Sequence, residues 1–228
     1  MRTAFPILLV TPPLVAPNAP YPATPQLAGF LRRAGWDVRQ ADLSIELLNR
    51  VFSRRGLETL DEHVRGRRSS TPAGQRWRRR WRAYADVVED AIGFLRGRSA
   101  TPPKLPRGPR FRMLEELRRA GSPLCSSAAR DERLLTSLFL DDLFDLLHDA
   151  VDERFGFSRY AERLAAAATS FEPLRRELEG PATPFDRMLD ALVVERVQSE
   201  SPGLVGITVP FPGTLYGALR VARAVRRA

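Results

Sequence analysis

Few side chains in this sequence have the type and spacing to do chemistry. Asp141, Asp142, Asp145 and Asp149 share a helical face with His148, a donor set that would suit a metal ion. A solvated acidic face explains the same residues more simply. His63 stands alone in another helical stretch and reads as an ordinary surface or core histidine. Cys125 is the only cysteine, which excludes a disulfide framework and a cysteine-based metal cluster. No Gly-x-Gly-x-x-Gly follows the first apolar run, and there is no Walker-type phosphate loop. No Ser, His and Asp stand in triad order. Asp37 and Asp42 flank a second strand-like stretch. One of them could bond a ligand hydroxyl, although capping is the simpler job for Asp42.

The better candidate is a pair of loops. Ile7, Leu8, Leu9 and Val10 form a short apolar run without alternation, as in a strand buried on both faces. Thr11, Pro12 and Pro13 end it, because proline removes a donor and fixes φ. A proline-rich loop then runs to Tyr21 and Pro22. A second run, LVGITV at 204–209, ends the same way at Pro210, Phe211, Pro212 and Gly213. In open α/β sheets, ligands bind beyond the carboxyl ends of the strands, where the strand order reverses. The loops 11–21 and 210–214 are therefore expected to face one crevice.

Those loops need a sheet to hold them. Thr24 and Pro25 open a helix as cap and first residue. Leu27, Phe30, Leu31 and Ala34 form its apolar stripe, and Gly35 is the left-handed residue beyond its end. Residues 36–41 read as a second strand with Val38 and Ala41 inward. Strand, helix, strand implies a parallel pair. Asp42 to Ser44 then start a helix carrying Ile45, Leu48, Val51 and Phe52.

The pattern from 56 to 200 is helical only. Residues 74–95 read as one helix. Trp77, Trp81, Tyr84, Val88, Ile92 and Leu95 point inward, with Arg76, Arg78, Arg79, Arg80 and Arg82 between them. Residues 99–110 hold four prolines and read as an extended loop. Helices follow at 111–119, 131–155, 158–170 and from Thr183, the last with Thr183 as cap and Asp186 in the first turn. The third strand leads through Thr214, as cap, to a final helix with Leu215, Ala218, Leu219, Ala222 and Val225 inward.

The expected fold is α/β: a partial Rossmann-like, doubly wound sheet of three parallel strands in the order 2-1-3, with a large all-helical insertion between the second and third strands. The expected division is 1–55 and 201–228 for the Rossmann-like part and 56–200 for the insertion. An apolar third strand at the sheet edge calls for a cover.

The chain of 228 residues carries net charge +9, nearly all of it arginine, with Lys104 the single lysine. A basic balance permits an anionic partner. Here the arginines are interleaved with Glu and Asp, so solvated helix faces are the simpler account and a nucleic-acid role is not expected. The same holds for the aromatic stripe beside arginines at 76–84, which could stack bases but fits a packed helix better. No stretch approaches the ~20 apolar residues of a membrane span. Pro6, Pro12 and Pro13 break the N-terminal apolar run, which disfavours an export signal. A cytoplasmic location is the default expectation.

The pattern ILLVTPPL at 7–14, continued by NAPYPATPQLAGFLRRAGWDVRQADLSIELL at 18–48, resembles the start of cobalamin-binding-domain radical SAM proteins. FLRGR and LPRGPRF within 94–111, and LVGITVPFPGTLYGALR at 204–220, resemble one subgroup of that family. The resemblance touches both ends and the middle of the chain. It implies a Rossmann-like domain that binds cobalamin at the carboxyl ends of its strands. It also implies a following barrel-like domain that cleaves S-adenosylmethionine with an iron–sulfur cluster held by CxxxCxxC.

One cysteine cannot ligate such a cluster, and the Asp-x-His-x-x-Gly motif that supplies histidine to cobalt in some cobalamin proteins is absent. With three strands only, the corrin site is expected to be incomplete. The iron–sulfur cluster and S-adenosylmethionine are expected in a missing part.

The resemblance implies a truncated or split cobalamin-binding-type module that is not an enzyme alone. Cobalamin would contact Thr11, Pro12, Pro13, Tyr21, Pro210, Phe211, Gly213, Thr214 and Tyr216, mainly through loop backbone and apolar surface. No catalytic or metal-ligating residue is assigned. The expected partner is a separately encoded radical SAM domain, or a second copy covering the third-strand edge. The alternative is a non-catalytic interaction module that uses the proline-lined crevice for another ligand or a protein.

Overall fold

The computed structural model describes residues 5–15, 21–66, 71–120, 131–155 and 170–228. Cys125 and nearly all of the helix expected at 158–170 lie outside them. In chain order the described elements are β1 (Ile7–Thr11), α1 (Ala23–Arg33), β2 (Val38–Asp42), α2 (Leu43–Val51), α3 (Arg54–Gly66), α4 (Pro72–Ala85), α5 (Val88–Leu95), α6 (Pro109–Arg119), α7 (Glu132–Ala150), α8 (Glu172–Glu179), α9 (Pro184–Glu200), β3 (Leu204–Ile207) and α10 (Pro212–Val225). They form two compact units: Met1–Val51 with Arg154–Ala228, and Phe52–Glu153.

The first unit holds the sheet, which has three parallel strands in the order β2-β1-β3. This is the partial Rossmann-like arrangement that the two apolar runs imply. Ile7 stands opposite Val38 and Leu204, and Val10 opposite Ala41 and Ile207. All five residues of β1 are buried: β2 and β3 cover its edges, and α1 and α2 pack against it. Val38 and Ala41 are the buried positions of β2, as expected.

α1 departs from its expected stripe. Leu27 and Phe30 are 44% and 61% exposed, while Thr24 and Ala28 are buried. Ala28 packs with Ile7, Leu9 and Val38, and Leu31 flanks that cluster. A small residue at the contact lets the helix axis approach the sheet closely. Leu27 and Phe30, one and two positions away, are thereby rotated outward. Nor does Thr24 cap α1: the helix begins at Ala23 without a side-chain cap. Gly35 does take the left-handed conformation, with φ 87°.

α9 begins at the expected cap, Thr183, which forms a capping box with Asp186. Thr183 Oγ1 accepts from Asp186 N–H at 3.2 Å, and Asp186 accepts from Thr183 N–H at 2.9 Å. Asp186 is 1% exposed and does more than cap. Its carboxylate accepts the Tyr216 hydroxyl at 3.1 Å and lies 3.4 Å from Arg220 Nε. Arg220 also pairs with Asp190 through Nη2 at 2.6 Å. These bonds tie α10 to α9. Phe155 stacks on Phe185 with ring centroids 3.9 Å apart beside them.

The second unit is helical. Residues 74–95 are not one helix: the chain turns at Asp86 and Val87, separating α4 from α5. The expected inward residues are buried up to Val88, whereas Ile92 and Leu95 are half-buried and Ala91 and Phe94 take the inner positions of α5. Trp77, Trp81, Tyr84 and Val88 are buried, and Tyr84 stacks on Phe139 of α7 at 5.1 Å. Trp77 Nε1 donates to Asp61 at 3.1 Å, which satisfies a fully buried indole. α7 stops at Ala150, short of the expected 155.

Candidate functional site

The candidate site lies at the carboxyl ends of β1 and β3, where the order reverses. At the end of β1, Thr11 is buried and its hydroxyl shares a 3.1 Å hydrogen bond with Thr24. That bond pins the start of α1 to the strand end. Pro12, Pro13, Leu14 and Val15 are also buried. Ser44 clamps them from α2: its Oγ accepts from Val15 N–H and donates to Val15 C=O, both at 2.8 Å. On the other side α10 closes in. A Cβ on Gly217 would stand 2.5 Å from the Pro13 carbonyl oxygen, so only glycine permits this approach.

The β3 loop is built differently. Phe211 is 54% exposed, and Pro212 is the first residue of α10. Thr214 is therefore inside the first turn rather than at the cap. Its hydroxyl donates back to the Phe211 carbonyl at 2.8 Å. Gly213 and Thr214 are buried, and Pro210 is half-buried. Tyr216 is fully buried and committed to Asp186, with Arg154 over its ring at 5.8 Å. Burial, and then the Asp186 carboxylate, pushes the Tyr216 phenol up to about 12.

The two loops meet where the sequence places them. Tyr21 and Phe211 make an edge-to-face contact with centroids 5.8 Å apart. Of the nine sequence candidates, Tyr21, Pro210 and Phe211 offer surface. Thr11, Pro12, Pro13, Gly213, Thr214 and Tyr216 are packed beneath and act as the frame. Thr24, Ser44, Gly217 and Asp186 hold this frame and were not singled out as site residues. Thr24, Ser44 and Asp186 were visible only as residues at helix starts, and Gly217 carried no signal.

A second concavity of about 500 Å³ lies between α2 and α9, lined by Glu46, Asn49, Arg50, Leu192, Glu195, Arg196 and Ser199. Its charges are already matched in bidentate pairs: Arg50 with Glu195 at 2.6 and 3.0 Å, and Arg196 with Glu46 at 2.7 and 2.9 Å. The hydrogen bond from Arg50 holds Glu195 below the usual carboxylate range. That arrangement ties two helices together and leaves no unmatched group to recognise a ligand.

The acidic face of α7 is engaged in ion pairs. Asp142 is buried, not solvated, and accepts from Arg110 through both its backbone N–H and Nη1, at 3.3 and 3.1 Å. Asp145 pairs with the same guanidinium at 2.7 Å, and Asp149 pairs with Arg76 at 2.8 Å. Burial raises Asp141 above its ordinary value. No cluster of three or more metal-ligating side chains occurs among the described residues, and none of their helices is long and apolar enough to cross a membrane. No family model, curated protein or solved structure matches this chain.

Proposed function

We propose that the sheet unit is a non-catalytic binding module of the cobalamin-binding type, which takes its ligand on the rim at the carboxyl ends of β1 and β3. The observation that carries this reading is the Tyr21–Phe211 contact, because it joins the two loops at the switch point where doubly wound sheets bind ligands. The ligand class rests on the resemblance of residues 7–48, 94–111 and 204–220 to cobalamin-binding radical SAM proteins.

The residues fit a corrin as an apolar rim only. Tyr21, Pro210 and Phe211 supply ring surface, with Val209 beside them 50% exposed. His63 and His148 both belong to the other unit, so the sheet unit supplies no imidazole to cobalt. Bound cobalamin would contribute cobalt-centred group-transfer or redox chemistry. The chain would hold and orient it through ring contact and loop backbone. Iron–sulfur and S-adenosylmethionine chemistry would come from other residues, since one cysteine cannot ligate a cluster.

Titrating the purified protein with hydroxocobalamin tests this reading. A saturable shift in corrin absorbance is expected. The double variant Tyr21→Ala, Phe211→Ala should weaken it about tenfold, the scale of a lost aromatic contact. No shift with protein that melts cooperatively rejects cobalamin as the ligand.

A second reading is favoured by the exposure of Phe5, Leu204 and Val209 (41%, 50% and 50%) together with Phe211. In it the same rim and the β3 edge dock a protein, either a separately encoded radical SAM domain or a second copy. Concentration-dependent sedimentation without a corrin signal would support it.

A further inference from the structure

The aromatic side of α4 is buried in its unit, and its opposite side is built from arginine. Arg78, Arg79 and Arg82 are exposed there, spanning about 6 Å of helix axis at 1.5 Å per residue. Several other arginines of this unit stand against acids. Arg76 pairs with Asp149, Arg65 with Asp61, and Arg110 with Asp142 and Asp145. Asp86, the acid nearest to Arg82 in sequence, is held by Arg54 at 2.6 Å.

Among the described residues, none of Arg78, Arg79 and Arg82 has an acidic partner. The residues of 52–153 outside the description, 67–70 and 121–130, include no Asp or Glu. Arg82 lies over the Trp81 ring, 5.6 Å from its centroid, and keeps its guanidinium at the surface. Arg78 and Arg82 are four residues apart, a spacing at which like charges repel. An anionic partner would relieve that repulsion.

The chemistry of the face selects the partner. Three guanidinia in one turn suit closely spaced phosphates. The other exposed residues of α4 are Pro72, Gln75, Arg76 and Ala83. They include none of the Trp, Phe or Leu with which an amphipathic helix enters a lipid surface. We propose that α4 is a contact surface for the phosphate backbone of a nucleic acid, most simply a single strand, through Arg78, Arg79 and Arg82. The interleaving of arginine with acids had argued against such a role. The structure shows which arginines those acids take and which they leave. The proposal is independent of the cobalamin reading and uses a different unit.

The test is fluorescence anisotropy of the full chain with a labelled 20-nucleotide poly-uridine RNA, at several salt concentrations. The variants are the triple Arg78→Gln, Arg79→Gln, Arg82→Gln and a charge-matched control, Arg33→Gln, Arg226→Gln, Arg227→Gln. Both are checked for an unchanged melting curve.

Three phosphate contacts predict a log–log salt slope near −2 for a single strand, a loss of roughly 20-fold between 50 and 200 mM salt. The α4 triple should lose at least tenfold in affinity at 50 mM salt and the control less than about threefold. Equal losses in the two variants would show a net-charge effect and overturn the proposal. So would an unaffected α4 triple or a flat salt response. Binding to anionic phosphatidylserine vesicles that depends on the three arginines, without RNA binding, would assign the face to a membrane and also overturn it.

Discussion

Tyr216 shows how far a single side chain can be read in two ways. Next to a Pro/Gly loop at the carboxyl end of a strand, its phenol reads as a ligand contact. In the structure it is fully buried and donates to Asp186. The signal that separates the two roles is Asp186, 30 residues earlier, and nothing local connects them in the sequence.

The placement has a measurable consequence. The folded phenol keeps its proton up to about 12, while an unfolded tyrosine releases it near 10. Between those values the folded state holds more protons than the unfolded one. Stability therefore falls as pH rises through this window and is fully present below it. Denaturant melts from pH 9 to 12 should show that fall in the wild type. Tyr216→Phe should start about 2 kcal/mol lower at neutral pH, from a lost bond to a charged acceptor, and fall less steeply. The slope should not vanish, because burial also raises Tyr84. Identical slopes in the two proteins would remove Tyr216 from this account.

At the scale of elements, the strands were the more legible part. β1 and β3 are short apolar runs closed by proline, and their order follows from which turns must share an edge. The helices were less legible: α3 and α8 were not delimited, α4 and α5 read as one, and α1 was turned the wrong way. α1 presents Ala28 rather than Phe30 to the sheet, because close approach of helix to strand favours the small residue over the larger apolar one. Sequence hydrophobicity ranks them the other way. The break between α4 and α5 carries neither glycine nor proline, so no local punctuation marked it.

Close approach also decides a helix test. Gly217 sits mid-helix, where alanine is ordinarily about 1 kcal/mol better. Its Cβ would meet the backbone oxygen of Pro13 at 2.5 Å, and backbone cannot swing aside as a side chain can. Gly217→Ala is therefore expected to destabilise by about 1–3 kcal/mol, measured by urea melts. It should also disturb the loop that carries the candidate rim. A stabilised variant would mean that α10 does not press on that loop.

At the scale of the whole molecule, the described residues fall into a sheet unit made from both ends of the chain and a helical unit made from 52–153. The helical unit has its own core of Trp77, Tyr84, Phe139, Leu143 and Leu147, each at most 4% exposed, and its ends are adjacent in the chain to the same partner unit. A fragment of residues 52–153 is expected to give a helical far-ultraviolet spectrum and a cooperative melt. A featureless melt would show that the unit depends on the sheet. The candidate site was legible only in outline: its two loops were, but not the Tyr21–Phe211 contact across them, the clamp from Ser44 or the close approach of α10. Those contacts join residues whose side chains carry no distinguishing pattern.

β1 has neighbours of very different age. Val38 of β2 is synthesised about 30 residues after Ile7, and Leu204 of β3 about 200 residues after it. At 5–20 residues per second, the second side of β1 waits roughly 10–40 s on the ribosome for its partner. Through that interval a wholly apolar strand has one bare edge, the kind of surface on which nascent chains pair with one another. During translation this hazard falls on β1 and lasts until residues 204–207 emerge; in the finished sheet the open edge passes to β3, whose Leu204 is 50% exposed.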